Sequence, residues 1–476
     1  MTTAARFHRR IDLALHDATL QTALARATAK FVENRAAAMT ALQDADRLRD
    51  QARAIRAKAL SRLDEMLSRL AERIEARGGR VCWAPDGATA ARYITDLARR
   101  RRVERIVKSK SMASEEIHLN AALAAAQLHV VETDLGEYII QLARETPSHI
   151  VAPAIHKTRE QVAVLFEQHL GMAPTNEPSE MARAARGALR QEFLRADLGI
   201  SGVNFGVANE GAIVLVTNEG NGRLTTTVPR IHVAVMGIER VVESLEDLGV
   251  LLQVLGRSAT GQKMTVYTTV LSGPARADEA DGPEEFHLVL LDNGRSRILG
   301  TDYAEALLCI RCGACLNACP VYQSIGGHAY GGVYSGPIGA VLTPLLEPAM
   351  DEAYALSHAS SLCGACQAAC PVRIAIPEML LRLRGDAVRD TGGKSSERIA
   401  MRLWRAIVQR PGLFRAAGRA ASLATRAAAR GGQVKALPPP LNAWTRTRDF
   451  PPFAKKSFTQ LWKKRGRGPE GPRHDR

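Results

Sequence analysis

Aromatic residues are scarce, long apolar runs are absent, and cysteine is almost confined to two short stretches. Each of these excludes something. Phe, Trp and Tyr make up 5% of the chain, and no helix-turn-helix, zinc-finger or RNA-binding signature accompanies them. The stacking platforms and reading heads of nucleic-acid binders are therefore missing, and no nucleic-acid partner is expected. No run reaches the roughly 18 apolar residues that a spanning helix needs. The opening stretch, MTTAARFHRR, lacks the apolar segment of a signal peptide. A soluble cytoplasmic protein is expected, at a membrane only peripherally. There is no G-x-G-x-x-G at a strand-to-helix turn and no flavin signature, although hydride chemistry needs such a cofactor.

Seven of the eight cysteines form two runs, Cys309-x2-Cys312-x2-Cys315-x3-Cys319-Pro320 and Cys363-x2-Cys366-x3-Cys370-Pro371. The first has the spacing that bacterial ferredoxins use to ligate iron–sulfur clusters. Three thiolates at two-residue gaps can wrap one face of a cubane, and the fourth, before a proline, points to a second cluster. Aligned from its proline end, the second run supplies the fourth, third and second places. Its first place falls on Ser360. Cluster one then has Cys309, Cys312, Cys315 and Cys370. Cluster two has Cys319, Cys363 and Cys366, with a gap. Serine is a poor thiolate substitute. Water, a substrate, a partner's residue or a three-iron cluster are open alternatives there. Two clusters, most simply 4Fe-4S, are expected. Structural zinc would ask for ligands in fours. A disulfide framework does not suit a large chain with no secretory signal and its cysteines in two tight groups. Cys82, the eighth, reads as a small buried strand residue.

The net charge is +15. Lys and Arg are dense at 99–110, around 402–430 and in the tail 455–476. The basic tail suits an acidic partner or an anionic surface better than nucleic acid. The simplest reading is a solvated Arg-rich face.

At 476 residues, about three domains are expected. Residues 1–78 read as helix, with a second helix running from about Ala36 to Ala76 and stopping at Gly78-Gly79. Residues 79–300 alternate short apolar strands with helices, which predicts an α/β sheet, mostly parallel, with helices on both faces. Its expected strands include Arg80 to Trp83, Arg105 to Ser109, His129 to Thr133, Ala212 to Thr217, Ile231 to Met236, Lys263 to Thr268 and Phe286 to Leu291. A helix is expected over Glu115 to Gln127. Residues 301–385 form a ferredoxin-type segment. Residues 386–476 are basic and helical, then Pro-rich, and the last ten or so are expected to be disordered.

Three loops of the α/β region are candidates for a ligand. The strand Ala212 to Thr217 exits into Asn218-Glu219-Gly220-Asn221-Gly222-Arg223, where two glycines allow close approach and Arg223 could hold a carboxylate or phosphate. The others are Glu132-Thr-Asp134-Leu-Gly136-Glu137 and Lys108-Ser-Lys110-Ser111. Alone, each reads equally well as a plain turn.

The segments Lys108-Ser-Lys-Ser-Met112, Glu132-Thr-Asp-Leu-Gly136, His149-Ile-Val-Ala-Pro153 and Thr217-Asn-Glu-Gly-Asn-Gly-Arg223 resemble the lactate-utilisation (LUD) domain. Followed by the two cysteine runs, and by Leu441-Asn-Ala-Trp444 and Arg448-Asp-Phe450-Pro451, they resemble the lactate utilisation protein B family over nearly the whole chain. The resemblance implies a domain with the fold of CoA transferases and sugar-phosphate isomerases, and the seven run cysteines as cluster ligands. It also implies two partners, a Cys-rich iron–sulfur protein and a second LUD-domain protein, required together for L-lactate oxidation to pyruvate. No catalytic residue carries over with it. An electron-transfer subunit of that system is the leading expectation. A CoA transferase-like or isomerase-like enzyme with a redox-sensing module, using Glu219 as its carboxylate, is the alternative.

Overall fold

Apolar runs bounded by turns become strands. In the computed structural model these are β1 (Arg80–Ala84), β2 (Arg105–Lys108), β3 (His129–Glu132), β4 (Leu198–Gly202), β5 (Phe205–Val207), β6 (Ala212–Thr217), β7 (Ile231–Gly237), β8 (Val241–Val242), β9 (Tyr267–Leu271) and β10 (Glu285–Leu291). The structure describes residues 3–347, 353–391, 395–439, 441–445 and 448–465. The chain divides into two compact units, residues 1–386 and 387–476.

In the first unit, six strands make a parallel sheet in the order β1-β10-β7-β4-β2-β3. All seven residues of β7 are buried, as a parallel strand covered on both faces requires. The helix Gly87–Arg100 covers one face with Ala90, Ile94, Leu97 and Ala98. Their spacing puts them on one stripe. Asp86 caps that helix, accepting from the Thr89 N–H at 2.7 Å. On the other face, the helix Leu63–Glu75 presents Met66, Leu70 and Ile74 to a cluster that includes Met236 and Leu288. Each fully buried leucine or isoleucine contributes about 1.5–3 kcal/mol.

The architecture is α/β, as expected, but not all of its strands fall in one sheet. A second, four-stranded sheet has the order β8-β5-β6-β9. Here β6 runs antiparallel to both β5 and β9. An unbroken apolar run such as Ala212–Thr217 reads the same in either kind of sheet. The short, glycine-containing β4 and β5 escaped the sequence reading, and the strand expected at Lys263 to Thr268 lies instead at Tyr267–Leu271.

Helices also break where one was expected. The N-terminal region forms Ala18–Thr40, Ala45–Ser61 and Leu63–Glu75, interrupted at Asp44 (φ +53°) and Arg62. The Glu115 to Gln127 helix is split at His118 (φ +50°) into Met112–Glu116 and Leu119–Ala125. Cys82 lies half-buried on the edge strand β1.

The N-terminal helices brace the cysteine-bearing segment. Arg49 Nη2 donates to the carbonyls of Ala368 and Cys370, both at 2.8 Å. Arg35 donates to Ala369 O at 2.8 Å.

In the second unit, the helices Ser395–Val408 and Pro411–Ala428 carry exposed Trp404, Phe414 and Leu423 among their arginines. The disorder expected of the last ten residues concerns positions outside the described residues. Among the described residues, no helix is long and apolar enough to cross a membrane.

Candidate functional site: a cysteine cage beside a cavity

The two cysteine runs fold alike. In the first, Arg311 and Gly313 flank Cys312 with φ of +59° and +75°. In the second, Leu362 and Gly364 flank Cys363 with φ of +55° and +84°. Short helices, Ala314–Asn317 and Ala365–Ala369, follow. Glycine relieves the left-handed strain at one position of each pair. The alignment of Ser360 with Cys309 thus describes a backbone repeat as well as a sequence one.

Cys309, Cys312, Cys315 and Cys370 line one small space, of about 20 Å³. Cys312, Cys315 and Cys370 are buried. Backbone N–H groups point at sulfur: Arg311 N lies 3.4 Å from Cys309 Sγ, and Ile374 N lies 3.4 Å from Cys370 Sγ. Burial, followed by the charge of Cys370, pushes the Cys312 thiol up to about 12. Burial likewise raises Cys370 to about 11. Such thiols lose their protons readily only to a metal.

Cys319, Cys363 and Cys366 form the second group. Burial, then the charge of Cys319, raises Cys366 to about 12, and Cys363 adds to it. Cys363 is exposed, and the N–H of Ala365 lowers its pKa. At the aligned position Ser360, Oγ accepts from the Leu362 N–H at 3.1 Å. Tyr330 is fully buried, and its hydroxyl has no hydrogen-bond partner. The charges of Cys319, Cys315 and Cys366 all act on it. A buried hydroxyl is normally satisfied, and sulfide in a bound cluster would satisfy this one. The sulfurs, the converging N–H groups and this orphaned hydroxyl fit iron–sulfur clusters.

A second cavity, of about 420 Å³, adjoins the first. Ile150, Arg311 and Cys312 belong to both linings. The three candidate loops converge on it. Ser109, Lys110 and Ser111 come from one, Asp134 from another, and Asn218, Glu219 and Asn221 from the third. Gly220, Gly222 and Arg223 are not in the lining. Arg223 is exposed, and Gly222 is there for packing, since a Cβ would come within 2.9 Å of Thr217 Cγ2.

Hydrogen bonds hold the loops together. Asp134 Oδ1 accepts from the N–H groups of Gly136 and Glu137, and Glu219 Oε2 accepts from Leu135 N at 3.3 Å. Burial raises the Glu219 pKa, with Asp134 adding to it. Burial also raises Glu137, to about 8, against the pull of Lys110.

Nearer the cysteines the wall is cationic. Arg295 forks onto Glu116, with both Nη atoms at 2.8 Å from its oxygens, and donates through Nε to Glu239. Arg240 donates to Cys309 O at 2.9 Å. The guanidinium of Arg311 stacks on Tyr334, 4.5 Å from the ring centre. His149, flagged in sequence for its motif, lies over Gly313: a Cβ there would meet His149 Cε1 at 3.2 Å. Burial lowers the His149 pKa to about 3. Its Nδ1 accepts from the Val151 and Ala152 N–H groups, so the ring is neutral, with its proton on Nε2 facing Asn317 Oδ1 at 3.2 Å.

Residues 67–291 match the LUD domain, 305–374 a 4Fe-4S dicluster domain, and 382–467 the C-terminal domain of lactate utilisation protein B. Lactate utilization protein B from Bacillus licheniformis is 45% identical over 97% of each chain. Its counterpart from Anoxybacillus flavithermus is 46% identical over 97% of this chain and 98% of its own. The chain belongs to the lactate utilisation protein B family. It carries an iron–sulfur dicluster segment and a role in lactate utilisation. Among solved structures, a DUF162 family protein from Deinococcus radiodurans matches at 15% identity over 48% of this chain and 98% of its own, with a TM-score of 0.27. That likeness is too low to bear on the fold.

Arg56, Glu116, Glu239 and Arg295 were not found by sequence reasoning. They sit among ordinary helix, loop and strand-end residues, with no local spacing to mark them. Arg56 donates to the carbonyls of Val241 (2.8 Å), Leu307 (3.1 Å), Leu308 (3.4 Å) and Glu239, so one guanidinium ties the α/β core to the cysteine segment.

Proposed function

We propose that this chain is the iron–sulfur electron carrier of a system that oxidises L-lactate to pyruvate. In this reading Cys309, Cys312, Cys315 and Cys370 hold one 4Fe-4S cluster. Cys319, Cys363 and Cys366 hold the second, with Ser360 at its open corner. When bound, such clusters take and give electrons one at a time. The observation that carries the reading is positional. Cys312 lies in the wall of the large cavity, and Cys363, in the other group, is exposed.

Oxidation of a 2-hydroxy acid releases two electrons and two protons. Glu219, on the cavity wall, can hold one proton at its carboxylate. His149, Ile150 and Val151 cover the buried cage and keep water from its sulfurs. Exposed Cys363 marks the face where an acceptor docks. The partners in this reading are a Cys-rich iron–sulfur protein and a second LUD-domain protein, in the cytoplasm. Residues 79–300 face the substrate, 301–385 carry the electrons, 1–78 brace them, and 386–476 form the basic region.

Iron and acid-labile sulfide content under anaerobic conditions, with EPR of the dithionite-reduced protein, tests this. About eight irons with interacting S = 1/2 signals are expected. About seven, with a signal in the oxidised state, would place a three-iron cluster at the Ser360 corner. Little or no iron would overturn the reading.

A further inference from the structure

Three polar atoms on residues lining the large cavity are buried and lack any hydrogen-bond partner: Lys110 Nζ, Arg311 Nη1 and Asn221 Oδ1. An unpartnered buried group costs roughly 1–3 kcal/mol, and more when charged. Native interiors hold few of them. Here three belong to the lining of one space.

Their neighbours are satisfied, which makes the contrast specific. Lys108, two residues before Lys110, meets Glu115 and Glu132, each at 2.8 Å. Arg295 spends its nitrogens on Glu116 and Glu239. Arg240 gives its terminal nitrogens to the carbonyls of Cys309 and Ile310. Arg311 donates Nη2 to Glu239 at 3.4 Å and leaves Nη1 free. Between the polar groups the wall is apolar, with Ile150, Val151, Leu215, Val235 and Leu255.

We infer that this cavity binds a 2-hydroxy carboxylate bearing an apolar substituent, with Lys110 Nζ and Arg311 Nη1 as donors to the acid and Asn221 Oδ1 as acceptor from its hydroxyl. Two cationic donors match a carboxylate. A carboxamide oxygen matches a hydroxyl donor. The apolar wall takes the substituent. A volume of about 420 Å³ is in the range that holds ligands well above the size of a three-carbon acid. L-lactate is therefore the smallest ligand of a class, and a branched 2-hydroxy acid fits as well. The choice of a hydroxy acid rests on the electron-carrier reading. The free donors and acceptor do not.

Anaerobic equilibrium dialysis of the full chain, clusters in place, with radiolabelled L-lactate tests this. Saturable binding of one L-lactate per chain is expected. L-2-hydroxyisocaproate displaces it, propionate displaces it more weakly, and L-lactate methyl ester does not compete. Lys110→Met and Arg311→Gln each weaken binding about tenfold or more, as loss of a charged hydrogen bond implies. Arg311 adjoins the cysteine cage, so iron content is read on every sample. If Arg311→Gln loses iron, Lys110→Met decides alone, with a thermal melt confirming its fold. Absence of saturable binding to the wild-type chain, equal binding of the methyl ester, or unchanged affinity in Lys110→Met overturns the inference. Intact clusters without binding sink this site and spare the carrier reading. Binding to a chain that takes up no iron does the reverse.

Discussion

Lys108 and Glu132 are register partners on the parallel strands β2 and β3, and their side chains meet at 2.8 Å with only 1% and 3% of each exposed. Nζ of Lys108 also reaches Glu115 at 2.8 Å and Ser114 Oγ at 3.1 Å. Removing one partner of a buried pair leaves the other charge stranded, at a cost of about 3–5 kcal/mol. Lys108→Met should lose that much in urea unfolding. Lys110→Met, whose Nζ makes no hydrogen bond and acts on Glu137 only through its charge, should lose less, under about 1.5 kcal/mol. Equal losses would show that Lys110 is a structural residue and not a ligand group.

Arg56 makes a different kind of prediction. Four backbone carbonyls from two stretches of chain, 239–241 and 307–308, depend on its guanidinium, and it is 0% exposed. Arg56→Leu fills much of the volume but leaves those acceptors dry. A loss of roughly 3 kcal/mol or more is expected. Because two of the carbonyls, Leu307 and Leu308, directly precede Cys309, iron content should fall in the same variant. Full stability with normal iron content would mean that water replaces the guanidinium.

Acidification should weaken the fold through His232. Burial, followed by the nearby His287, lowers its pKa to about 3, and its Nε2 lies 2.8 Å from Ser201 Oγ. An unfolded histidine titrates near 6.5. Below that pH the unfolded chain takes up a proton that the folded chain refuses, so stability present above about 6.5 is lost progressively as pH falls toward 3. Relative to His232→Gln, the wild type should lose about 1.4 kcal/mol between pH 7.5 and 5.5. Urea midpoints of both proteins at the two pH values measure it. Parallel shifts would show that His232 is protonated in the native state.

Legibility followed locality. Cluster ligands at fixed short gaps are visible in sequence because the cofactor dictates the gaps, and both cysteine runs fold with matching left-handed positions at Arg311, Gly313, Leu362 and Gly364. The long strands β7 and β10 were visible because double burial leaves a mostly apolar run, broken only near the start of each strand. The three loops could each be flagged, but their meeting is a property of the sheets. So is the choice between the two lysines of Lys108-Ser-Lys110-Ser111, since only the fold puts Glu132 opposite one of them. The second sheet was missed because β5 is three residues long with a central glycine. Arg56 and Glu239 form contacts more than 180 residues apart in sequence, and no window of sequence contains both.

Tyr330 gives a prediction that touches the second cysteine group without removing a ligand. Its hydroxyl is buried, unpartnered, and close enough to Cys319, Cys315 and Cys366 to feel their charges. Hydrogen bonds to cluster sulfur stabilise the more negative, reduced form and so raise the potential. Removing one donor worth about 1 kcal/mol should lower a one-electron potential by roughly 40 mV. Tyr330→Phe deletes only the oxygen and keeps the ring, so packing and iron content should be unchanged. An EPR-monitored redox titration of wild type and variant reads the shift directly. A lowered potential in one of two titrating signals places the hydroxyl on that cluster. An unmoved pair of potentials would mean that it serves neither, and that its burial has some other cause.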